Sequence, residues 1–219
     1  FRHEGGVGNI ERSEVPGDRV LGVLHECPDD ALSPLDAMEA LGHGYDRITV
    51  DVETDGGRVS ALTYVGMPEF IDDRCLPSRR YLNIVVDGAR QAGLDTGYLG
   101  DLMAQAVHRT DPYPPFVPPS GDHPVFDTAA LAQFPAYTSL YGAVFDMSDA
   151  RPLHEYLKGF FGGRDMTLFH LKRLDTSDGT ESMDDILHGR LSEAQRDYLN
   201  GYLNEYAREY RYVGRIDYR

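Results

Sequence analysis

The strongest constraint on this chain is a proline cluster near its middle. Residues 111–124, Asp-Pro-Tyr-Pro-Pro-Phe-Val-Pro-Pro-Ser-Gly-Asp-His-Pro, hold six of the 13 prolines. Each proline locks its own φ, removes a backbone donor and pushes the residue before it out of helical geometry. Such a stretch forms neither a helix nor a central strand. It is expected to be an extended, semi-rigid linker, or an arm laid across a surface. Two halves follow: residues 1–110 as one domain and residues 125–219 as another.

Composition narrows the classes of function. The 219 residues are 41% hydrophobic and 26% charged, ordinary for a folded protein. Acidic residues number 36 against 21 basic ones, a net charge of −15, which argues against nucleic acid as a partner because phosphate backbones are repelled. No apolar run reaches the ~20 residues that a membrane-spanning helix needs, so no membrane association is expected. The two cysteines, Cys27 and Cys75, have no metal-ligand spacing and are expected to be free thiols in a cytoplasmic protein. No metal or organic cofactor is implied.

In the first half, Arg19–Glu26 reads as a strand. Pro28, Asp29 and Asp30 then open a helix through Leu32, Leu35 and Met38 that stops near Gly42. Tyr45–Glu53 and Arg58–Val65 alternate on either side of Thr54-Asp55-Gly56-Gly57, which predicts a β-hairpin. Helices are expected from Pro77-Ser78 to Gly93, through Tyr81, Ile84, Val85 and Ala89, and again from about Asp95 to His108. On 100° spacing Glu39 falls beside Leu32 and Leu35, away from Asp29 and Asp36. A carboxylate on that apolar flank, near a helix C-terminus, is expected to have a raised pKa suited to proton transfer.

Several motifs in order give the first half a resemblance. They are Gly5-Gly6-Val7-Gly8-Asn9-Ile10, Gly17-Asp-Arg-Val-Leu-Gly-Val-Leu24, Leu35-Asp-Ala-Met-Glu39, Ala61-Leu-Thr-Tyr64, Pro77-Ser78-x-x-Tyr81-Leu82 and Asp87-Gly-Ala-Arg-Gln-Ala-Gly-Leu94. Together, over about residues 1–108, they resemble the γ-glutamylcyclotransferase (AIG2-like) family. Leu21 stands where that family usually has Trp, and Ala40 where it has Gly. The resemblance implies an α+β fold, a mixed β-barrel of the γ-glutamylcyclotransferase type, here with a C-terminal α+β extension. It also implies cyclisation of a γ-glutamyl amide or amine to 5-oxoproline, with Glu39 as general acid/base and Tyr45, Tyr64, Gly5 and Gly6 lining the substrate. The family opens with a strand and a Tyr-Gly-Ser-Asn loop whose N–H groups hold the developing oxyanion. Phe1 stands just downstream of where that loop is expected, and Tyr141-Gly142-Ala143-Val144 shares only its first two letters. A non-catalytic binding module is the alternative.

The second half resembles no recognised family. Expected elements are helix 127–133, strand 138–146, helix 149–161, strand 166–172, helix 191–209 and strand 210–218. Gly159-x-x-Gly162-Gly163 lacks the lysine and the Ser/Thr of a phosphate loop and reads as a tight turn. A structural histidine is the expected reading of His170, and a separate activity around His170 and Asp175 is the alternative. Thr180 or Ser182 is expected to cap a helix towards Leu187. Tyr198, Tyr202, Tyr206 and Tyr210 recur every four residues, one aromatic helix face that suits either a core or a homo-oligomer seam.

Overall fold

A computed structural model describes residues 5–109 and 112–218. Two compact units emerge among the described residues, one from residue 6 to 108 and one that contains residues 112–218. The expected boundary between residues 110 and 111 lies outside the described residues. The architecture is mixed α and β.

In the first unit, helix α1 (Asp29–Met38) starts at Pro28, with Asp29 and Asp30 in its first turn. Strands β1 (Tyr45–Thr54) and β2 (Gly57–Gly66) form the expected antiparallel hairpin, Thr54 opposite Gly57 and Tyr45 opposite Gly66. Helices α2 (Arg79–Gln91) and α3 (Thr96–Met103) follow, capped by the side chains of Ser78 and Asp95. The buried stripe of α2 is Leu82, Val86 and Ala89, at i, i+4 and i+7; Ile84 faces solvent. Those three are the only buried residues among those described from 6 to 108.

Residues 19–26 form no strand. A period-two pattern supplies a face, but a strand also needs a ladder partner, and among the described residues β1 and β2 form a two-stranded sheet with each other. Val20, Val23 and Leu24 are consequently exposed. Among the described residues, the sheet of this unit has two strands.

The second unit carries a five-stranded sheet in the order β3-β7-β5-β4-β6. The elements are β3 (Val125–Phe126), α4 (Thr128–Leu131), β4 (Tyr137–Leu140), β5 (Ala143–Asp146), α5 (Leu157–Phe161), β6 (Arg164–Asp165), α6 (Thr167–Leu171), α7 (Met183–Leu187), α8 (Glu193–Glu209) and β7 (Arg211–Ile216). All four residues of β5 are buried. Val144 joins Phe126, Leu131 and Ile216 in one cluster, while Phe145 joins Leu199, Tyr202 and Tyr206 in the other. Helix α8 begins at a reciprocal Ser192/Gln195 capping box. Its tyrosine face turns inward: Tyr202 and Tyr206 are fully buried and Tyr210 nearly so. Of the two sequence readings, that face is core. Full burial of a large apolar side chain contributes about 1.5–3 kcal/mol, so this stripe anchors the unit.

Three sequence expectations change here. The 138–146 run is a hairpin, because Tyr141 (φ 43°) and Gly142 (φ 89°) make a two-residue turn with both φ positive. The 149–161 helix is split by Pro152, which holds Arg151 extended (ψ 153°) ahead of a 3-10 turn, Pro152–His154. The 166–172 strand is instead helix α6. Its buried residues, Thr167, His170 and Leu171, follow helical spacing, and the Asp165 carboxylate accepts the Thr167 N–H at 3.1 Å. A short apolar run permits either conformation. The Gly162-Gly163 turn is as expected: a Cβ on Gly162 would lie 1.9 Å from the Pro135 carbonyl oxygen. Ser182 caps α7.

The proline segment is an arm docked on α8. Asn200 Oδ1 accepts the Phe116 N–H at 2.7 Å, and the Asn200 and Asn204 amides each donate to the Pro114 carbonyl at 3.0 Å. The Tyr113 hydroxyl donates to Glu205, and the Arg208 guanidinium lies over the same ring, 5.2 Å from its centroid. Phe116 packs near Phe145 and Tyr212. An extended proline segment leaves its carbonyls without internal partners, and the two asparagines, one helical turn apart, supply them.

A buried histidine closes the other end of α8. His154 Nε2 accepts from Arg151 Nη2 at 3.0 Å, while Nδ1 lies 3.2 Å from the Tyr210 hydroxyl and 3.7 Å from Glu209.

Candidate functional site

The polar cluster of the first unit forms where α1 meets the hairpin. Glu39 is the C-cap residue of α1, half-exposed, with its N–H donated to the Leu35 carbonyl at 2.9 Å. The chain then reverses through Ala40 (φ 50°) and Gly42 (φ 77°) into Tyr45. Ala40 therefore occupies a left-handed position that suits glycine, the residue the resembling family carries there; an L side chain costs about 1–2 kcal/mol in it.

Asp36 lies one turn before Glu39 on α1. Its carboxylate accepts from Arg47 Nη1 at 2.8 and 3.0 Å and from the Tyr64 hydroxyl at 2.7 Å. Arg47 on β1 stands directly opposite Tyr64 on β2, so the hairpin register itself delivers both groups to one carboxylate. Tyr45, two residues before Arg47, shares that face of the sheet. The Arg47 and Asp36 side chains are 29% and 24% exposed, so the pair is half-buried. The hydrogen bond to Asp36 holds the Tyr64 hydroxyl above its ordinary pKa, with the Arg47 charge opposing.

The structure thus gathers Tyr45 and Tyr64 with the helix that ends in Glu39. It also adds Asp36 and Arg47, which sequence reasoning missed. Asp36 was expected on the exposed side, but it sits four residues after Leu32 and faces the hairpin. The Tyr45-x-Arg47 alternation was the signal that could have found Arg47. Gly6 stands apart from this cluster: its N–H donates to the Leu76 carbonyl at 2.8 Å, and a Cβ there would lie 2.2 Å from the Cys75 carbonyl oxygen. Gly6 is needed where two backbones approach closely. Gly5 adopts a φ of 74°. A hollow of about 820 Å3 elsewhere on the unit is bounded by Asn9, Arg12, Ile48, Asp51 and Ile71, and Glu39 is not in its wall.

Candidates in the second unit are structural in their contacts. His170 is fully buried, with Nε2 2.9 Å from the Tyr206 hydroxyl and its ring 3.8 Å from that of Tyr202. Asp178 accepts from its own turn, the Thr180 N–H at 2.9 Å and hydroxyl at 2.7 Å. In the Tyr141-Gly142 turn both N–H groups are already used, by Thr167 Oγ1 at 2.7 Å and the Tyr218 hydroxyl at 3.0 Å. Cys27 and Cys75 are free and exposed. Among the described residues no three His, Cys, Asp or Glu side chains converge as a metal site requires, and no helix is long and apolar enough to cross a membrane.

With this geometry established, comparison with known proteins gives one result. The AIG2-like family model matches residues 19–102. The AIG2-like segment contains Glu39, Tyr45 and Tyr64, together with Asp36 and Arg47, and it begins after Gly5 and Gly6. No curated protein and no solved structure matches the chain.

Proposed function

We propose that the AIG2-like segment catalyses a γ-glutamylcyclotransferase-type reaction, with Glu39 as the single general acid/base. The observation that carries the reading is the family match across Glu39, combined with the placement of that carboxylate one helical turn from the Asp36–Arg47–Tyr64 cluster.

The chemistry asks little more of the protein. The α-ammonium of a γ-glutamyl amide gives a proton to Glu39, and the freed amine attacks the δ-carbonyl carbon of the same molecule. A C–N bond forms and closes a five-membered ring. As the tetrahedral intermediate collapses, the original amide C–N bond breaks, Glu39 returns the proton to the leaving nitrogen, and the ring nitrogen gives up its extra proton, which leaves with the amine as its ammonium ion, releasing 5-oxoproline. Because the attack is intramolecular, holding the chain folded replaces an encounter between two molecules. One carboxylate serves both proton transfers, a contribution of about 10²–10⁴-fold.

The test is 5-oxoproline release, by mass spectrometry, from a panel of γ-glutamyl amides and amines with the natural full-length protein. Wild type is expected to release it, and Glu39→Gln to be slower by about 10²-fold or more. Equal rates would remove Glu39 from the mechanism. A non-catalytic interaction module is the second reading, favoured by the exposed Val20, Val23 and Leu24 of the AIG2-like segment. Silence across the panel from folded protein would establish it over the first.

A further inference from the structure

A hairpin of two strands has two outer edges, and its register shows which main-chain groups lie on them. Thr54 and Gly57 face each other across a two-residue turn and exchange hydrogen bonds. Pairs bonded inward then recur at every second residue: Val52 with Val59, Val50 with Ala61, Ile48 with Thr63. The residues between them turn their N–H and C=O groups outward, which on β2 are Arg58, Ser60, Leu62, Tyr64 and Gly66. Two contacts fix this phase. The Gly66 N–H donates to Asn9 Oδ1 at 2.8 Å, and on β1 the Tyr45 carbonyl accepts the Gly42 N–H at 2.9 Å. Among the described residues nothing bonds the outward main-chain groups of Arg58, Ser60, Leu62 or Tyr64.

The two edges are unlike. Outward positions of β1 include Arg47, Asp51 and Glu53, and charged residues of that kind guard an edge against pairing. From Val59 to Gly66, β2 carries neither a charge nor a proline, and Val, Leu, Thr and Tyr suit a strand. Val59 and Leu62 are 36% and 52% exposed. An unguarded edge of this length is a template for another strand. Charge narrows what that strand is. At −15 the chain repels a second copy over most of its surface, but along β2 two copies meet with no carboxylate opposed. Nothing on β2 attracts a basic peptide either. The unit also buries little by itself, with Leu82, Val86 and Ala89 its only buried residues among those described.

We propose that two copies of this chain pair through β2, antiparallel across a two-fold axis at Ala61, to make one sheet in the order β1-β2-β2-β1. A symmetric pairing that uses all four outward residues must centre on Ala61. Arg58 then faces Tyr64 of the second copy and Ser60 faces Leu62, each pair exchanging two hydrogen bonds, about eight in all. The exposed Leu62 side chains become diagonal neighbours, about 7–8 Å apart and within reach of each other. No like charges are opposed, because Arg58, the single charge on β2, meets a tyrosine. Tyr64 belongs to the Asp36–Arg47 cluster, so the pairing sets Arg58 of the second copy at the margin of the candidate site. This assembly goes beyond the reaction proposed for Glu39 and does not depend on it.

Sedimentation velocity of the full chain, as a dilution series at low and at moderate salt, reads the mass. The paired edge is short for an interface, so dissociation is expected at about micromolar concentration or above. Added salt should strengthen the dimer by screening the net charge. Proline at an outward position removes a donor to the second copy and leaves the ladder with β1 intact. Ser60→Pro is therefore expected to weaken the dimer by about 10- to 100-fold, two hydrogen bonds being lost per dimer. Its thermal midpoint, measured at a dilution where wild type is monomeric, should stay near that of wild type. Leu62→Lys, which sets like charges across the axis, should also weaken the dimer without altering the backbone. Cross-linking locates the contact. On a Cys27→Ser/Cys75→Ser background, Ala61→Cys lies opposite its own copy and should oxidise to an intermolecular disulfide, whereas Thr63→Cys, which faces Val59, should not.

A wild type that stays monomeric up to about 500 μM at moderate salt overturns the proposal. So does a dimer that survives both Ser60→Pro and Leu62→Lys and gives no Ala61→Cys cross-link, since its interface lies elsewhere. Should Ser60→Pro lower the thermal midpoint, Leu62→Lys and the cross-link decide the matter between them.

Discussion

Acidification should destabilise the C-terminal unit through one side chain. His154 is buried, and its Nε2 accepts a hydrogen bond from the Arg151 guanidinium at 3.0 Å. Protonation would set an N–H against that guanidinium, in a site that water scarcely reaches. Burial first, and the Arg151 charge second, lower its pKa from 6.5 to about 4. The Glu209 carboxylate at 3.7 Å from Nδ1 and the Tyr210 hydroxyl at 3.2 Å face the other ring nitrogen and do not reverse this. The sign follows from linkage. Above pH 6.5 the histidine is neutral whether the chain is folded or not, and the site carries no penalty. Between pH 6.5 and 4 the unfolded chain takes up a proton that the folded chain refuses, so stability falls as pH falls. From pH 7 to pH 5 the loss is about 2 kcal/mol, approaching about 3 kcal/mol near pH 4. Urea unfolding followed by far-ultraviolet circular dichroism at pH 7 and pH 5 measures it, with His154→Gln as the reference that cannot titrate. The wild type should lose about 2 kcal/mol more than the variant over that interval. Parallel losses would refute the reasoning.

Two substitutions test the local geometry directly. Ala40→Gly relieves a left-handed residue at the end of α1 and should stabilise the first unit by about 0.5–1 kcal/mol once the extra entropy of unfolded glycine is subtracted; a lower thermal midpoint would contradict the φ assigned to Ala40. Asn200→Ala removes the partner of the Phe116 N–H and one of the two donors to the Pro114 carbonyl, which should expose residues 112–119 to limited proteolysis well before the rest of the unit, and cleavage rates equal to wild type would show that the arm is held by other means.

How legible this fold was depends on the range of the forces involved. Hairpin β1–β2, the α2 and α3 helices and the long α8 all announce themselves through period, turn residues and caps, which are local signals. The failures are tertiary. Nothing within Arg19–Glu26 reveals whether a neighbouring strand is available, and nothing within Met166–Lys172 separates a buried strand from one turn and a half of buried helix. Tyr141-Gly142 could have been found, because a tyrosine-glycine pair between two alternating runs is compatible with a tight reversal. At the candidate site, Glu39, Tyr45 and Tyr64 were legible by resemblance. Arg47 and Asp36 were not, since their pairing spans eleven residues and depends on how α1 lies on the hairpin.

The arm docked on α8 also bears on where this protein can be divided. Because Tyr113, Pro114 and Phe116 fill the hydrogen-bonding groups of Asn200 and Asn204, the portable module begins with its prolines and not with β3. A cut at Pro124 would leave a helix displaying idle amides and the uncovered carboxylate of Glu205. A gene fusion that carried the C-terminal unit to a new neighbour would have to carry the arm too, from Tyr113 onward.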